Sequence, residues 1–100
     1  MTKADLVKAI AADTGIVRKD VALVVDTMLE LIKEKMKQGN HLEIRQFGTF
    51  KLKVRKQRLG RNPKTNVTVD VPERVVPTFK FSKEFKTDIL QNLKPNQIKQ

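Results

Sequence analysis

Between Arg45 and Lys64 the chain reads RQFGTFKLKVRKQRLGRNPK, with eight bases and no acid. From Phe50 to Arg55 apolar and basic residues alternate strictly, the two-residue period of a strand with one buried face and one wet face. The alternation stops at Arg55, and the chain runs polar into Gly60-Arg61-Asn62-Pro63, a turn signal. After it Val67, Val69 and Val71 alternate with Thr68 and Asp70, which describes a returning strand. The pattern predicts a ribbon over about 54–72 with Arg61 to Asn66 at its tip, one end anchored in a core and the other projecting into solvent. A basic ribbon that leaves its own core needs something outside to lie against. A polyanion is the natural candidate.

A chain of 100 residues is about one domain and buries under about 70% of its unfolded surface. With five Phe and no Trp or Tyr, most of the core falls to Val, Leu and Ile. If a third of the chain projects away, a partner subunit becomes the source of the missing core. The formal charge of +10 is unevenly spread: residues 1–40 hold seven bases and six acids, residues 51–69 seven bases and no acid. That asymmetry fits a nucleic-acid binder. Cysteine is absent, which excludes disulfides and thiolate metal sites, and the lone His41 has no companion at ligand spacing, so no metal or other cofactor is expected. Neither a signal segment nor an 18-residue apolar run is present, so no membrane partner is expected.

Thr2 and Asp5 have capping-box spacing, and Leu6, Ala9 and Ile10 share one side of a short helix that Gly15 ends. A second helix is predicted from Arg18 to Gln38, stopped by Gly39-Asn40. Its apolar residues, Val21, Val24, Val25, Met28, Leu31, Ile32 and Met36, form a stripe wide enough to meet both the first helix and a partner. A helix-turn-helix reading is disfavoured, because Asp26, Glu30 and Glu34 on the polar side would repel phosphate. Leu42 and Ile44 alternate in a first strand, and Gly48 between Phe47 and Phe50 marks a tight turn or close backbone approach. Val75, Val76, Phe79 and Phe81 return the chain to the core, with Pro72 and Pro77 restricting it to extended or edge geometry. Ser82 caps a last helix over Lys83 to Leu93, in which Phe85, Ile89 and Leu93 share a face. The expected organisation is one α+β domain over 1–94: a helical hairpin in 1–40, a three-stranded antiparallel sheet with its arm in 41–81, a short helix in 82–93, then a polar tail over 95–100.

Three stretches carry a resemblance: Phe47-Gly48-Thr49-Phe50, Gly60-Arg61-Asn62-Pro63-Lys64-Thr65, and Val71-Pro72 followed by Val76-Pro77-Thr78-Phe79-Lys80. In this order and spacing, behind two helices of suitable length, they resemble the bacterial histone-like DNA-binding family that includes HU and integration host factor, with the last stretch more like HU. The resemblance covers Thr2 to about Leu93. It implies an intertwined dimer with a core drawn from Val24, Val25, Met28, Leu31, Ile32, Phe47, Phe50 and Phe79. Two arms would enter the minor groove, with Pro63 as the wedge between base pairs. DNA contacts would run through Lys53, Arg55, Lys56, Arg58, Arg61, Asn62, Lys64, Arg74 and Lys80, with Lys3, Lys83 and Lys86 on the helices as further phosphate contacts. The chain departs from the family at Asn66, where most relatives have Gly, at Phe81-Ser82 in place of Pro-Gly or Ala-Gly, and at Val17, where a capping Ser or Thr is common.

The implied function is that of a non-catalytic architectural protein that bends or compacts duplex DNA with low sequence selectivity, in the cytoplasm and associated with the nucleoid. Its partners are double-stranded DNA and a second copy of the chain or a close homologue, with no small-molecule substrate. A site-selective bender of the integration host factor type is the alternative. An RNA- or ribosome-associated role fits less well, since the shallow minor groove of A-form RNA does not suit a thin arm with a wedge.

Overall fold

Helix α1 (Lys3–Thr14) starts at a complete capping box: the Asp5 N–H donates to Thr2 Oγ1 at 3.4 Å, and the Thr2 N–H donates to the Asp5 carboxylate at 2.9 Å. It ends at Gly15, whose φ of 75° carries the chain into the left-handed region and whose N–H donates to the Ala11 carbonyl. Helix α2 (Arg18–Lys37) has Val17 at its N-cap with no side-chain hydrogen bond, so the cap missing from the sequence is missing here too. The computed structural model describes residues 1–99. It contains two compact units, a helical one over Met1–Gln38 and a second that begins at Gly39.

In the helical unit Val7 and Val21, 9% and 4% exposed, are the buried apolar side chains, and Val25, Ile32 and Met36 are half-buried further along α2. A second stripe at helical spacing, Val24, Met28 and Leu31, is 68%, 50% and 53% exposed. The wide stripe expected of α2 is therefore used on one side only. Its other side is an apolar surface of the kind a second chain covers.

The second unit is built on a sheet of order β1-β2-β5, all antiparallel, from β1 (Leu42–Ile44), β2 (Gly48–Arg55) and β5 (Arg74–Phe81). The register pairs Phe50 with Phe79, Leu52 with Pro77 and Val54 with Val75, which makes one face apolar. Pro77 is tolerated because β5 is an edge strand. The alternate pairs, Thr49 with Lys80, Lys51 with Thr78, Lys53 with Val76 and Arg55 with Arg74, make the other face polar and basic. Helix α3 (Lys83–Asn92) begins where Ser82 Oγ accepts the Phe85 N–H at 3.1 Å, while the Ser82 N–H donates to the Phe47 carbonyl at 2.9 Å. All five phenylalanines meet in one cluster: Phe79 lies 4.6 Å from Phe50, 4.9 Å from Phe81 and 5.8 Å from Phe47, and Phe85 lies 5.3 Å from Phe47 and 4.8 Å from Phe81, between ring centroids. Phe81, the departure before the last helix, thus joins the helix to the sheet through Phe85.

The arm differs from the expected continuous ribbon. It is a separate two-stranded sheet, β3 (Arg58–Arg61) with β4 (Thr68–Val71), and the ladder is interrupted at Lys56-Gln57 on one side and Pro72-Glu73 on the other. Pro72 has no N–H to donate, so pairing lapses there. The expected loose tail is partly ordered as well: a 3-10 turn, Pro95–Gln97, forms as the Lys94 N–H donates to the Gln97 side chain at 2.8 Å and the Gln97 N–H to the Lys94 carbonyl at 2.9 Å. Gln100, the last residue of that tail, lies outside the described residues.

Gly48 is fixed by close approach. A Cβ there would overlap the Phe79 ring and lie 2.7 Å from the Lys80 carbonyl oxygen, which is backbone and cannot swing aside. At Gly60 a Cβ would meet Val71 Cγ2 at 3.2 Å and the Val69 carbonyl oxygen at 3.7 Å, an ordinary contact, in the thin arm. Gly48→Ala is therefore expected to destabilise the protein by about 1–3 kcal/mol in chemical denaturation, and Gly60→Ala by clearly less. Equal losses would show that the Gly48 contact does not limit packing.

Candidate nucleic-acid interface

The period-two pattern that sets Phe50, Leu52 and Val54 on one face of β2, the first two half-buried and Val54 exposed, turns Lys51, Lys53 and Arg55 to the opposite face, and the register sets Arg74 and Lys80 beside them on β5. Two concavities lie along this track. Near the start of α3, Glu43, Thr49, Lys51, Lys80, Lys83 and Lys86 line a groove of about 490 Å³. At the root of the arm, Arg55, Lys56, Gln57, Arg58 and Arg74 line a cleft of about 610 Å³. Among the described residues none of these cations lies within 4.0 Å of a carboxylate. Cations held in no such ion pair gather solvent counterions, which an incoming polyanion displaces.

The track continues along the exposed arm through Arg58 and Arg61 to the tip. There the Asn62 N–H donates to the Val67 carbonyl at 3.0 Å and the Asn66 N–H to the Asn62 carbonyl at 2.7 Å, closing a short loop that holds Pro63, Lys64 and Thr65. Asn66 takes φ 60°, the left-handed conformation that Asn tolerates better than most residues, so the tip turn forms without the family's glycine. Asn62, expected to lie near the bases, has a local task as well: its Oδ1 accepts the Lys64 N–H at 3.0 Å. Pro63 sits exposed at the end of the arm.

The structure brings most of the anticipated residues together. Lys53, Arg55, Lys56, Arg58, Arg74 and Lys80 share the sheet face and arm root, Lys83 and Lys86 flank them from α3, and Arg61, Asn62, Pro63 and Lys64 form the outer arm. Lys3 belongs to the helical unit and is not free: its Nζ lies 2.7 Å from Asp26 Oδ1. Any phosphate it meets must compete with that carboxylate. Lys51 was not anticipated, although the alternation that selects Lys53 and Arg55 includes it. Glu43 and Gln57 were also missed, and no signal in the sequence marks them, since β1–β2 register and the interruption between β2 and β3 bring them to their places. Of the residues expected in a dimer core, Val24, Met28, Leu31 and Phe47 are exposed in the single chain, while Val25, Ile32, Phe50 and Phe79 are half-buried.

Comparison with known proteins gives the same outline. A family model described as "Bacterial DNA-binding protein" matches residues 1–90. The chain is 44% identical over 95 residues to the integration host factor subunit beta of Hahella chejuensis, covering 94% of this chain and 97% of that one. It is 35% identical over 89 residues to the DNA-binding protein HU of Clostridium pasteurianum, covering 89% and 98%. Among solved structures, HU of Anabaena in a cocrystal with DNA superposes with a TM-score of 0.83 at 36% identity, covering 89% of this chain and 97% of that one.

The tip makes a direct test of the local geometry. Asn62→Ala removes the acceptor of the Lys64 N–H and is expected to speed amide exchange across residues 62–67, whereas Asn66→Gly, which relieves the positive φ, should leave it unchanged or slower. Faster exchange in both variants would mean that the side chain of residue 62 does not organise the loop.

Proposed function

The chain belongs to the bacterial DNA-binding family that includes HU and integration host factor, and from that premise we propose that it is a non-catalytic architectural protein that bends and compacts duplex DNA with low sequence selectivity. It acts in the cytoplasm on the nucleoid, as a dimer. The observation that carries this reading is the unpaired basic track running from the sheet face through the arm root to an exposed proline. The domain is taken as residues 1–94, with Val24, Val25, Met28, Leu31 and Ile32 of each chain, and Phe47, Phe50 and Phe79, in the shared core.

Each part of the track has a distinct task. Lys51, Lys53, Arg55, Arg74 and Lys80 face the duplex as a cationic floor, and Lys83 and Lys86 take phosphates at its flank. Arg58, Arg61 and Lys64 carry the arm along the minor groove, whose edges separate A·T from G·C pairs and little more. Pro63, with no N–H to satisfy and an apolar ring, fits an unstacked step. The few kcal/mol lost in unstacking are offset by contacts that the bend permits. Selectivity then follows deformability, so nicked, flexible or already bent duplexes are preferred.

A site-selective role is a second reading, favoured by one observation: relatives named integration host factor subunit beta reach 44–45% identity, above the 35% of the Clostridium HU. The same name suggests a close homologue as the second chain. Competition decides the first point: the general reading fails if one site outcompetes bulk duplex by about a thousandfold or more.

Bending is tested with a duplex labelled at both ends and read by energy transfer across a salt series. The wild type should bring the ends together, and Pro63→Ala should bind with a similar salt slope yet bend much less. Equal end separation in both would remove Pro63 from the mechanism. Each phosphate contact contributes about 0.9 to the slope of log K against log salt, so Lys83→Gln with Lys86→Gln in both subunits should lower it by up to about 3.6. An unchanged slope would take both lysines out of the interface.

A further inference from the structure

The outer side of α2 belongs neither to the basic track nor to the buried side of the helix. Four-residue spacing sets Leu23, Thr27 and Leu31 in one row and Asp26, Glu30 and Glu34 in the next. Between the rows lies a groove of about 420 Å³, lined by Asp26, Thr27, Glu30, Leu31 and Glu34. Leu23, at the head of the first row, is 67% exposed, and Leu31 stands where the groove meets the stripe of Val24 and Met28. Asp26 is held by Lys3 at 2.7 Å and Glu30 loosely by Lys33 at 3.4 Å, whereas Glu34 is in no ion pair among the described residues. One wall is therefore largely apolar and the other acidic. Such a groove suits a neighbour's apolar ridge flanked by cations, and it repels phosphate. The chain itself carries a segment of that character. From Ile89 to Lys99 there is no acid, and Leu90 and Ile98, 81% and 64% exposed, stand on either side of Lys94. The 3-10 turn Pro95–Gln97 gives the segment a defined shape. All of it but Ile89 and Leu90 lies beyond the residues that the family model matches.

We propose that the outer groove of α2 is a docking site for residues 89–99 of a second copy of this chain, and that the contact links dimers into larger assemblies. Leu90 and Ile98 answer Leu23 and Leu31, while Lys94 and Lys99 answer Glu30 and Glu34. Opposite charge on the two surfaces selects this occupant, since the segment has no acid for the groove to repel. Groove and segment are different surfaces, so the contact is heterologous. A dimer offers two of each, and association does not close on itself. Exposed ion pairs of this kind are individually weak and screened by salt, so assembly belongs to high protein concentration and low ionic strength. The contact uses no residue of the DNA track and does not depend on DNA bending.

The test is sedimentation velocity of the full-length protein without DNA, over a hundredfold range of concentration, at about 0.05 M and about 0.5 M salt. Species larger than the dimer should grow with concentration at low salt and disappear at high salt, where the dimer remains. Lys94→Glu with Lys99→Glu, or Glu30→Lys with Glu34→Lys, should raise the concentration needed for assembly by roughly tenfold or more. Combining all four exchanges the charges across the contact and should recover part of the loss. Ile98→Ser leaves the net charge unchanged and should also weaken assembly, which keeps the test open if the α2 variant folds poorly. Asp13→Lys with Glu73→Lys, the same change of charge elsewhere, should weaken it far less. Absence of any species beyond the dimer at low salt, equal loss in the Asp13 and Glu73 variant, or no recovery in the fourfold variant would each overturn the proposal. A monomer at high salt would refute the two-chain core and not the groove contact, which is read from the salt-sensitive step.

Discussion

The constraint on which the rest of the structure depends is the shortage of core. In the helical unit Val7 and Val21 are buried, while Val24, Met28 and Leu31 stand at helical spacing with half or more of their surface open. At roughly 25 cal/mol for each Å² of apolar surface removed from water, that stripe is a large reserve of unspent stabilisation. A chain this short has few other places to find it. In the proposed dimer two copies pair through α2 and cover the stripe, and the same symmetry that completes the core supplies two arms. On that proposal the dimer serves folding before it serves DNA binding.

The sheet of the second unit builds its basic face by periodicity alone. Every apolar side chain that β2 commits to the phenylalanine cluster sets a lysine or arginine on the other face, and β5 repeats the arrangement through Arg74 and Lys80. The ring cluster gives this face a firm backing, with Gly48 allowing Phe79 to lie against the β1–β2 turn and Ser82 tying α3 to Phe47. Where the ladder breaks, backing ends and the arm begins. A ribbon that carries Arg58 and Arg61, and a proline at its tip, has little reason to hold one position in water and good reason to do so on a polyanion.

Much of this was legible in the sequence, because the signals were local. The Thr2–Asp5 capping box, the Gly15 terminus and the Ser82 cap depend on residues a few positions apart and appear where expected, and the stretch from Phe50 to Arg55 forms strand β2, although its burial falls off along the strand, from half-buried Phe50 to exposed Val54, instead of alternating. What escaped depends on register or on contacts distant in sequence. The opposition of Arg55 and Arg74 is set by how β2 meets β5, the capture of Lys3 by Asp26 by how α1 meets α2, and the place of Phe81 by the packing of α3. The end of the alternation at Arg55 marked where β2 stops, but the lapse and resumption of pairing across Lys56-Gln57 also depends on Pro72, fifteen or more residues away on the other strand. In the tail, composition alone suggested a loose segment and missed the hydrogen bond between Gln97 and Lys94.

The most direct test of the two-chain core is thermal unfolding followed over a hundredfold range of protein concentration, without DNA. If two chains share the core, dissociation accompanies unfolding and the midpoint must rise with concentration, while Leu31→Glu should lower the midpoint most at high dilution. A midpoint independent of concentration in the wild type would mean that the single chain folds alone, and the dimer would then have to be argued from DNA binding rather than from the core.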